Sequence, residues 1–355
     1  MKTTLVTFFL SICIVSMNAQ KTDLKFDELA QPDTTLLWIQ PAQGKPAQAI
    51  WGHAHGVSVA IPQLNIMPRG LIRIFTPYLG HDKYVVTNFI AMEPTPVGHQ
   101  HRGLSELEMS TFDKGIRGKR FWSSDNTDYT GYDNEKYPAK GVVGEVNGKQ
   151  TLTVYIFSEP FDNGAKVYVR LRFFEDHPYE FELTSYTYND SVDLDSFILT
   201  ATMGNKARLR TLYLKDYQKT SIELWPEYKD DAFAPHAFFP GEDMIHDSRG
   251  YAYFVAAPNE KDPSKAEYAD GTARHWKYTG KVATQYWISI NPDSGLQGLV
   301  NGRYTYWASR SPIPGGISFE NFEMKESFRN GNQYIFGITP QSPDQFINQA
   351  KRGRY

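Results

Sequence analysis

Short segments that alternate apolar and polar residues, separated by turn-forming residues, recur along almost the whole chain and constrain its fold most tightly. Val57 to Ile61, Leu71 to Phe75 and Val85 to Ala91 open the series. Leu104 to Met109, Thr151 to Phe157, Val167 to Phe174 and Tyr179 to Tyr188 continue it, followed by Phe197 to Thr202 and Leu209 to Leu214. Tyr251 to Ala257, Gln285 to Ile290, Ile317 to Met324 and Tyr334 to Ile338 complete it. A period of two puts alternate side chains on opposite faces of a strand, and these runs are rich in the Val, Tyr, Phe and Thr that strands favour. Asn147-Gly148, Asp162-Asn163-Gly164, Asn189-Asp190, Pro292-Asp293-Ser294-Gly295 and Asn330-Gly331-Asn332 supply the turns. No long stretch has apolar residues at helical spacing, and only Ser342 to Ala350 reads as a short helix.

A dozen or more hairpin-linked strands predict an all-β chain, a large antiparallel β-sandwich. The length exceeds a simple immunoglobulin sandwich, so the expectation is a two-sheet supersandwich of the galactose-mutarotase-like kind. A β-propeller is the alternative, although its period of about forty to fifty residues is not visible. Residues 20–355 read as a single domain, because no low-complexity linker and no internal repeat divides them.

The first residues predict export. Lys2, the apolar run from Leu5 to Val15 and Met17-Asn18-Ala19 match a secretory signal peptide cleaved after Ala19. The apolar run is too short to span a bilayer, and no later segment reads as a span. The single cysteine, Cys13, would leave with the signal, and with it any disulfide or thiolate chemistry. The expected location is therefore secreted or periplasmic. A net charge of −3 gives no footprint for nucleic acid or an anionic membrane. The sequence leaves the oligomeric state open.

With 22 Tyr, 22 Phe and 7 Trp the chain is strongly aromatic, which suits sheet cores and also the stacking of sugar rings. Two loop-rich stretches, Phe121 to Gly141 and Trp225 to Gly250, interrupt the strands where ligands are commonly held.

Four of the nine histidines fall in two His-x-His pairs, His53 with His55 and His99 with His101. On a strand each pair would share one face, a geometry suited to proton transfer or metal ligation. Arg102, Glu106 and Glu108 follow the second pair at once. His99, His101 and Glu106 have the spacing of the first half of a cupin metal motif, which would hold a divalent metal. The second half is missing: Pro314-Gly315-Gly316 to Asn321 has its outline without a histidine.

β-Elimination on a uronic acid needs a cation to neutralise the sugar carboxylate, a base for the C5 proton and an acid for the departing oxygen. The expected catalytic set is His99, His101, Arg102, His53 and Tyr132. Arg120, Trp122, Tyr129 and His55 are the expected substrate contacts. Hydrolysis would instead need two carboxylates at a fixed separation, for which Glu106, Glu108, Asp113, Asp125, Asp128, Glu320 and Glu323 are candidates. A sugar epimerase or a non-catalytic glycan-binding protein is compatible with the same sequence. Nucleophile elbows, Walker loops and dinucleotide fingerprints are absent.

The phrases NFIAMEP (88–94), RGLSELEMS (102–110) and GISFENFEM (316–324) resemble secreted Bacteroidota proteins of algal polysaccharide degradation. Within that group the chain resembles the oligosaccharide dehydratases associated with ulvan-type uronic acid–rhamnose fragments. The resemblance implies a carbon–oxygen lyase or dehydratase that acts on acidic oligosaccharides and leaves an unsaturated uronic acid.

Overall fold

The computed structural model describes residues 28–61, 67–77, 84–99, 101–113, 115–123, 137–202, 208–258, 284–305 and 311–353. The expected signal peptide and the expected site residues Tyr129 and Tyr132 lie outside these residues. In chain order the strands begin with β1 (Glu28–Leu29), β2 (Trp38–Ile39), β3 (Ile50–His53), β4 (Ser58–Ala60), β5 (Ile72–Thr76) and β6 (Tyr84–Pro96). Next come β7 (Phe121–Ser123), β8 (Val142–Val146), β9 (Lys149–Ser158), β10 (Val167–Phe174), β11 (Glu180–Thr187) and β12 (Leu194–Thr202). Then follow β13 (Thr211–Tyr213), β14 (Gln218–Thr220), β15 (Ala237–Pro240), β16 (Ile245–His246) and β17 (Ala252–Ala257). The last are β18 (Thr284–Ser289), β19 (Gln297–Arg303), β20 (Ser318–Ser327) and β21 (Asn332–Thr339).

They form two antiparallel sheets packed face to face, without closing into a barrel. The first sheet runs β15-β19-β20-β12-β6-β5-β4-β3-β2, with β1 on β6. The second runs β14-β13-β17-β18-β21-β11-β10-β9-β7, with β16 on β17 and β8 on β9. This is the expected all-β sandwich. The propeller alternative does not apply, because the strands continue one another in two extended sheets instead of separate blades.

β10 shows how the sequence selects this arrangement. Val167, Val169, Leu171 and Phe173 are buried toward the opposite sheet, while Tyr168, Arg170, Arg172 and Phe174 point outward and stay partly exposed. Equivalent alternation in β6, β12 and β20 turns Ile90, Met92, Phe197, Leu199, Phe322 and Met324 into the same core. Burial of that apolar area is the main stabilising term. Polar ties cross it as well: Trp287 Nε1 donates to the Phe322 carbonyl at 3.0 Å, Asn88 Nδ2 to Gln285 Oε1 at 2.6 Å, and the Ser289 hydroxyl to Glu326 Oε1 at 3.0 Å. Each satisfies a buried polar group that would otherwise be costly.

The expected turn at Asn147-Gly148 closes β8 on β9 with both residues at positive φ, 52° and 77°, the two-residue hairpin geometry that Asn-Gly favours. The expected terminal helix forms as α1 (Pro343–Lys351), opened by a capping box between Ser342 and Gln345. Its Phe346 covers the outer face of β17 and β18 against Tyr253 and Tyr286.

One expected strand is absent. Leu104 to Met109 is a turn in which the Leu107 and Glu108 amides donate back to the Leu104 carbonyl. The segment runs beside β6 beyond the end of β5, on the open edge of residues 92 and 94, where the Ser105 amide donates to the Met92 carbonyl. The Gly103 amide donates to the Pro94 carbonyl, and the Ser105 hydroxyl donates to Gly70 O at 2.7 Å while accepting from the Met92 amide at 3.0 Å. β6 carries buried residues on both faces, Glu93 among them.

Candidate active site

The outer face of the first sheet gathers charged side chains from four separate stretches of sequence. β6 contributes Glu93 and β20 contributes Glu323, and the register places both beside β12, with Glu93 opposite Ile198 and Glu323 opposite Thr200. The segment that borders β6 begins with Arg102, whose guanidinium reaches both of them. His236, the residue before β15, sits at the neighbouring edge beside Asn301 of β19.

Arg102 Nη1 lies 2.7 Å from Glu323 Oε2 and 2.9 Å from Glu93 Oε2. Both carboxyls touch the same nitrogen, so they stand within a few ångströms of each other. His236 Nε2 lies 3.0 Å from Glu323 Oε1. With Nε2–H donating to that carboxylate, Nδ1 keeps the free lone pair, and it makes no hydrogen bond to any described residue. Arg102 Nη2 and Asn301 Nδ2 stand 3.4 and 3.5 Å from Nε2. The side chains of Glu323 and Glu93 are 0% and 7% exposed, whereas Arg102 and His236 keep 24% and 27%. Cation and imidazole therefore form the accessible surface, with the carboxyls beneath.

The two carboxyls are driven apart in acidity. Burial pushes Glu93 up to about 8, against the pull of Arg102 and with help from the charge of Glu323. Burial works on Glu323 in the same direction, but hydrogen bonds from His236 and Arg102 outweigh it and hold Glu323 below the usual carboxylate range. One guanidinium cannot neutralise two buried anions. Glu323, which receives hydrogen bonds on both oxygens, keeps the negative charge, while Glu93 meets Arg102 off the hydrogen-bonding direction and keeps a proton. At neutral pH the site thus holds an un-ionised acid, an oriented imidazole and a guanidinium, the inventory for moving a proton beside a negative charge.

A second group adjoins it. A register shift between Val300 and Gly302 leaves one extra residue on β20, and this β-bulge re-aims Glu320. Burial raises Glu320 to about 8, countered by Arg303 and aided by Glu106. Glu106 is itself raised by burial, with Arg117 and Arg73 pulling it back. Two exposed rings rim the region. Phe238 is 61% exposed with its ring centroid 6.2 Å from that of His236, and Arg303 lies 5.2 Å over the ring of Phe233.

The residues expected from sequence divide sharply. Arg102 occupies the centre and Glu106 its flank. His99 and His101 do not join them: the chain turns at 97–98 and bends at 101, so no strand aligns the pair, and both side chains are exposed. Among the described residues no three His, Cys, Asp or Glu side chains are grouped to hold a metal ion, so His99, His101 and Glu106 do not form the expected ligand set.

His53 lies elsewhere, buried at the end of β3. Its Nδ1 accepts from the His55 amide at 3.0 Å and its Nε2 meets the Glu175 carbonyl at 3.2 Å. Burial lowers its basicity, and both ring nitrogens are held by backbone groups, so the ring bridges the end of β3 to the Glu175 carbonyl. His55 is exposed beside it. Arg120 is buried, its Nε 3.5 Å from Asp113 and its amide donating to Glu159 Oε1 at 2.7 Å. Trp122 is 2% exposed and stacks on Phe157. Neither presents a surface to a substrate at this site. Glu108 is engaged by the Leu104 and Asp162 amides and by Lys119.

His236 carries no local motif. Its partners lie 134 and 87 residues away in sequence, so only the fold exposes its role. Glu93 did leave a trace, as an acid that directly follows the apolar run Phe89 to Met92 within a strand, a position that demands a partner. The three phrases on which the family resemblance rests contain Glu93, Arg102 with Glu106, and Glu320 with Glu323, and the fold draws all five to this one face. No protein-family model matches this chain, and no curated protein matches it.

Proposed function

We propose that the protein is a carbon–oxygen lyase or dehydratase acting on oligosaccharides that contain uronic acid, with its reaction centre at Arg102, His236, Glu323 and Glu93. The observation that carries this reading is the pairing of an accessible, carboxylate-oriented imidazole with a protonated carboxyl on either side of one guanidinium. The guanidinium faces the sugar carboxylate through Nη2, which pairs with no carboxylate among the described residues, and makes the C5 proton removable. His236 Nδ1 takes that proton. The C5–H electrons become the C4=C5 double bond, the C4–O bond breaks, and Glu93 supplies the proton to the departing oxygen. Water leaves from a free C4 hydroxyl, or a sugar alcohol leaves from a linked one. Glu323 is a positioning residue: it holds the imidazole tautomer and balances the imidazolium that forms, without touching substrate.

The carboxyl pair also favours a second reading, a glycoside hydrolase, since two acids of divergent acidity beside each other suit acid and nucleophile roles. Glu323, at 0% exposure with both oxygens engaged, is kept from an anomeric carbon, whereas Glu93 keeps a 7% exposed edge from which to reach a leaving oxygen, and this supports elimination instead. The resemblance of the three phrases to algal oligosaccharide dehydratases points the same way and suggests ulvan-type fragments. Export through the segment ending at Ala19 would place the enzyme where such polymers are met. No helix among the described residues is long and apolar enough to cross a membrane.

Incubation with uronic acid oligosaccharides is expected to raise ultraviolet absorbance, because the new double bond is conjugated to the carboxylate. A flat trace across ulvan, alginate, pectin and glucuronan fragments removes the proposal. Reducing-end release without new absorbance selects the hydrolase.

A further inference from the structure

The outer face of the second sheet carries a row of aromatic rings that the proposed chemistry does not use. Trp122, Phe157, Tyr168 and Tyr186 stand on β7, β9, β10 and β11, each directly opposite the next in the strand register. Their centroids are 6.2, 5.3 and 5.1 Å apart along the row, with interplanar angles of 26°, 36° and 16°. Tyr155 packs against Phe157 at 6.2 Å, and Tyr188 against Tyr168 at 5.1 Å.

Cross-strand ring pairs stabilise a sheet, and that accounts for the rings. It does not account for the hydroxyls, since phenylalanine would stack equally well, and Phe157 at the buried centre of the row is one. Tyr155, Tyr168 and Tyr186 are each only partly buried, and their hydroxyls make no hydrogen bond to any described residue. Because the rings stand off the sheet and face one another, solvent meets their edges and their phenol groups. Ring edges are the positive end of the aromatic quadrupole, and each phenol can donate. Burial, with the neighbouring Tyr186 and Tyr155 oxygens, also disfavours ionisation of Tyr168, which keeps it a donor.

Cationic charge adjoins the row. Arg170 and Arg172 follow Tyr168 outward along β10, and both address a single carboxylate: Arg170 Nη2 lies 2.7 Å from Glu182 Oε1, and Arg172 Nη1 lies 3.9 Å from it. Two guanidiniums against one carboxylate leave an excess positive charge beside the hydroxyls. Tyr186 extends the contact, with the Arg170 guanidinium 6.0 Å from its ring. Donors carried on neighbouring strands recur about every 4.8 Å, so they suit a ligand with acceptors repeated along its length.

We infer that this face is a second saccharide-binding surface, on the opposite side of the sandwich from Arg102, and that it takes an acidic oligosaccharide laid across β9, β10 and β11. The phenol hydroxyls of Tyr155, Tyr168 and Tyr186 contact its hydroxyl and ring oxygens, and Arg172 contacts its carboxylate or sulfate. The inference stands on the row and its charges and does not depend on turnover at His236.

The test uses the full chain bearing His236→Gln, with its tyrosines labelled by carbon-13 at Cζ. Single Tyr155→Phe, Tyr168→Phe and Tyr186→Phe variants assign the three resonances. Addition of a glucuronan hexasaccharide is expected to shift all three in a saturable way, with an apparent Kd that weakens as salt rises. Arg172→Gln is expected to raise that Kd about threefold to tenfold through loss of one charge-assisted contact. Cellohexaose, of similar length but uncharged, is expected to leave the resonances nearly in place. Unmoved resonances with the acidic probe, equal shifts with cellohexaose, or a Kd indifferent to Arg172→Gln each overturn the inference. An absent lyase activity leaves these outcomes unaffected.

Discussion

Exchange of His236 for glutamine is expected to lower the rate of ultraviolet-detected elimination by about 10²–10⁴-fold, the usual contribution of a positioned general base. Glutamine is the informative substitution because its amide can still donate to Glu323 Oε1, where His236 Nε2 now lies at 3.0 Å. The buried carboxylate stays satisfied, and the unfolding free energy should move by no more than about 0.5 kcal/mol. What disappears is the lone pair on Nδ1. Steady-state kinetics should show the loss in kcat with a much smaller change in KM, since binding of the sugar carboxylate is left to Arg102. His99→Ala and His101→Ala serve as the contrast. Both side chains are exposed on the turn above β6, and both variants should turn over at the parent rate. Equal losses in all three histidine variants would return the chemistry to the His99–His101 pair.

The second large effect concerns stability. Arg102→Met is expected to cost about 3–5 kcal/mol, because breaking a buried ion pair strands the partner charge. Glu323 cannot reach solvent, and its remaining partner is an imidazole. Glu93 would meet a still stronger bias toward its neutral form. The deficit should therefore shrink as the solution is acidified and Glu323 takes up a proton, and grow as pH rises and both carboxyls are forced to ionise. Adding Glu323→Gln to Arg102→Met removes the stranded charge and should recover most of the loss. Urea or thermal unfolding of the single and double variants at two pH values reads all of this. A double variant as unstable as the single one would mean that Arg102 acts by packing alone.

Much of the fold can be read before any coordinates, for identifiable reasons. β10 was plain because one face meets the core and the other meets solvent, so its alternation is undiluted. β19 was not. Its sequence Gln-Gly-Leu-Val-Asn-Gly-Arg reads as loop, yet Gly298 is needed there because a Cβ would come within 2.7 Å of the Phe254 ring. Packing, not propensity, decides that strand. β7 and β15 are only three and four residues long, and β7 has both faces buried, which erases the period of two. Leu104 to Met109 misled in the other direction. Its alternating leucines and glutamates belong to a turn held down by Ser105, and Glu106 and Glu108 end in different environments instead of on one face.

The site was half legible for related reasons. Arg102 stood out through its neighbours in sequence, although the histidines that drew attention to it are not its partners. Its real partners come from β6, β20 and the edge before β15, the last two 221 and 134 residues away. Glu323 was visible only as one of several candidate acids. Nothing local distinguishes it from Glu108, which serves instead to fix the backbone amides of Leu104 and Asp162. Long-range strand pairing assembles the constellation, and a single sequence carries no direct record of that pairing.

The central claim is that Glu93 stays protonated at neutral pH and hands its proton to the leaving oxygen while His236 accepts one. The pH dependence of kcat, measured side by side for the parent protein and Glu93→Gln, tests it most directly. Glu93 is pushed up to about 8, so the donor form is present below that pH and is lost as pH rises through it. The parent rate should accordingly fall on the alkaline side near pH 8, and Glu93→Gln should be slow throughout with that alkaline fall gone. A Glu93→Gln protein that keeps both the parent rate and the parent alkaline limb would contradict the assignment.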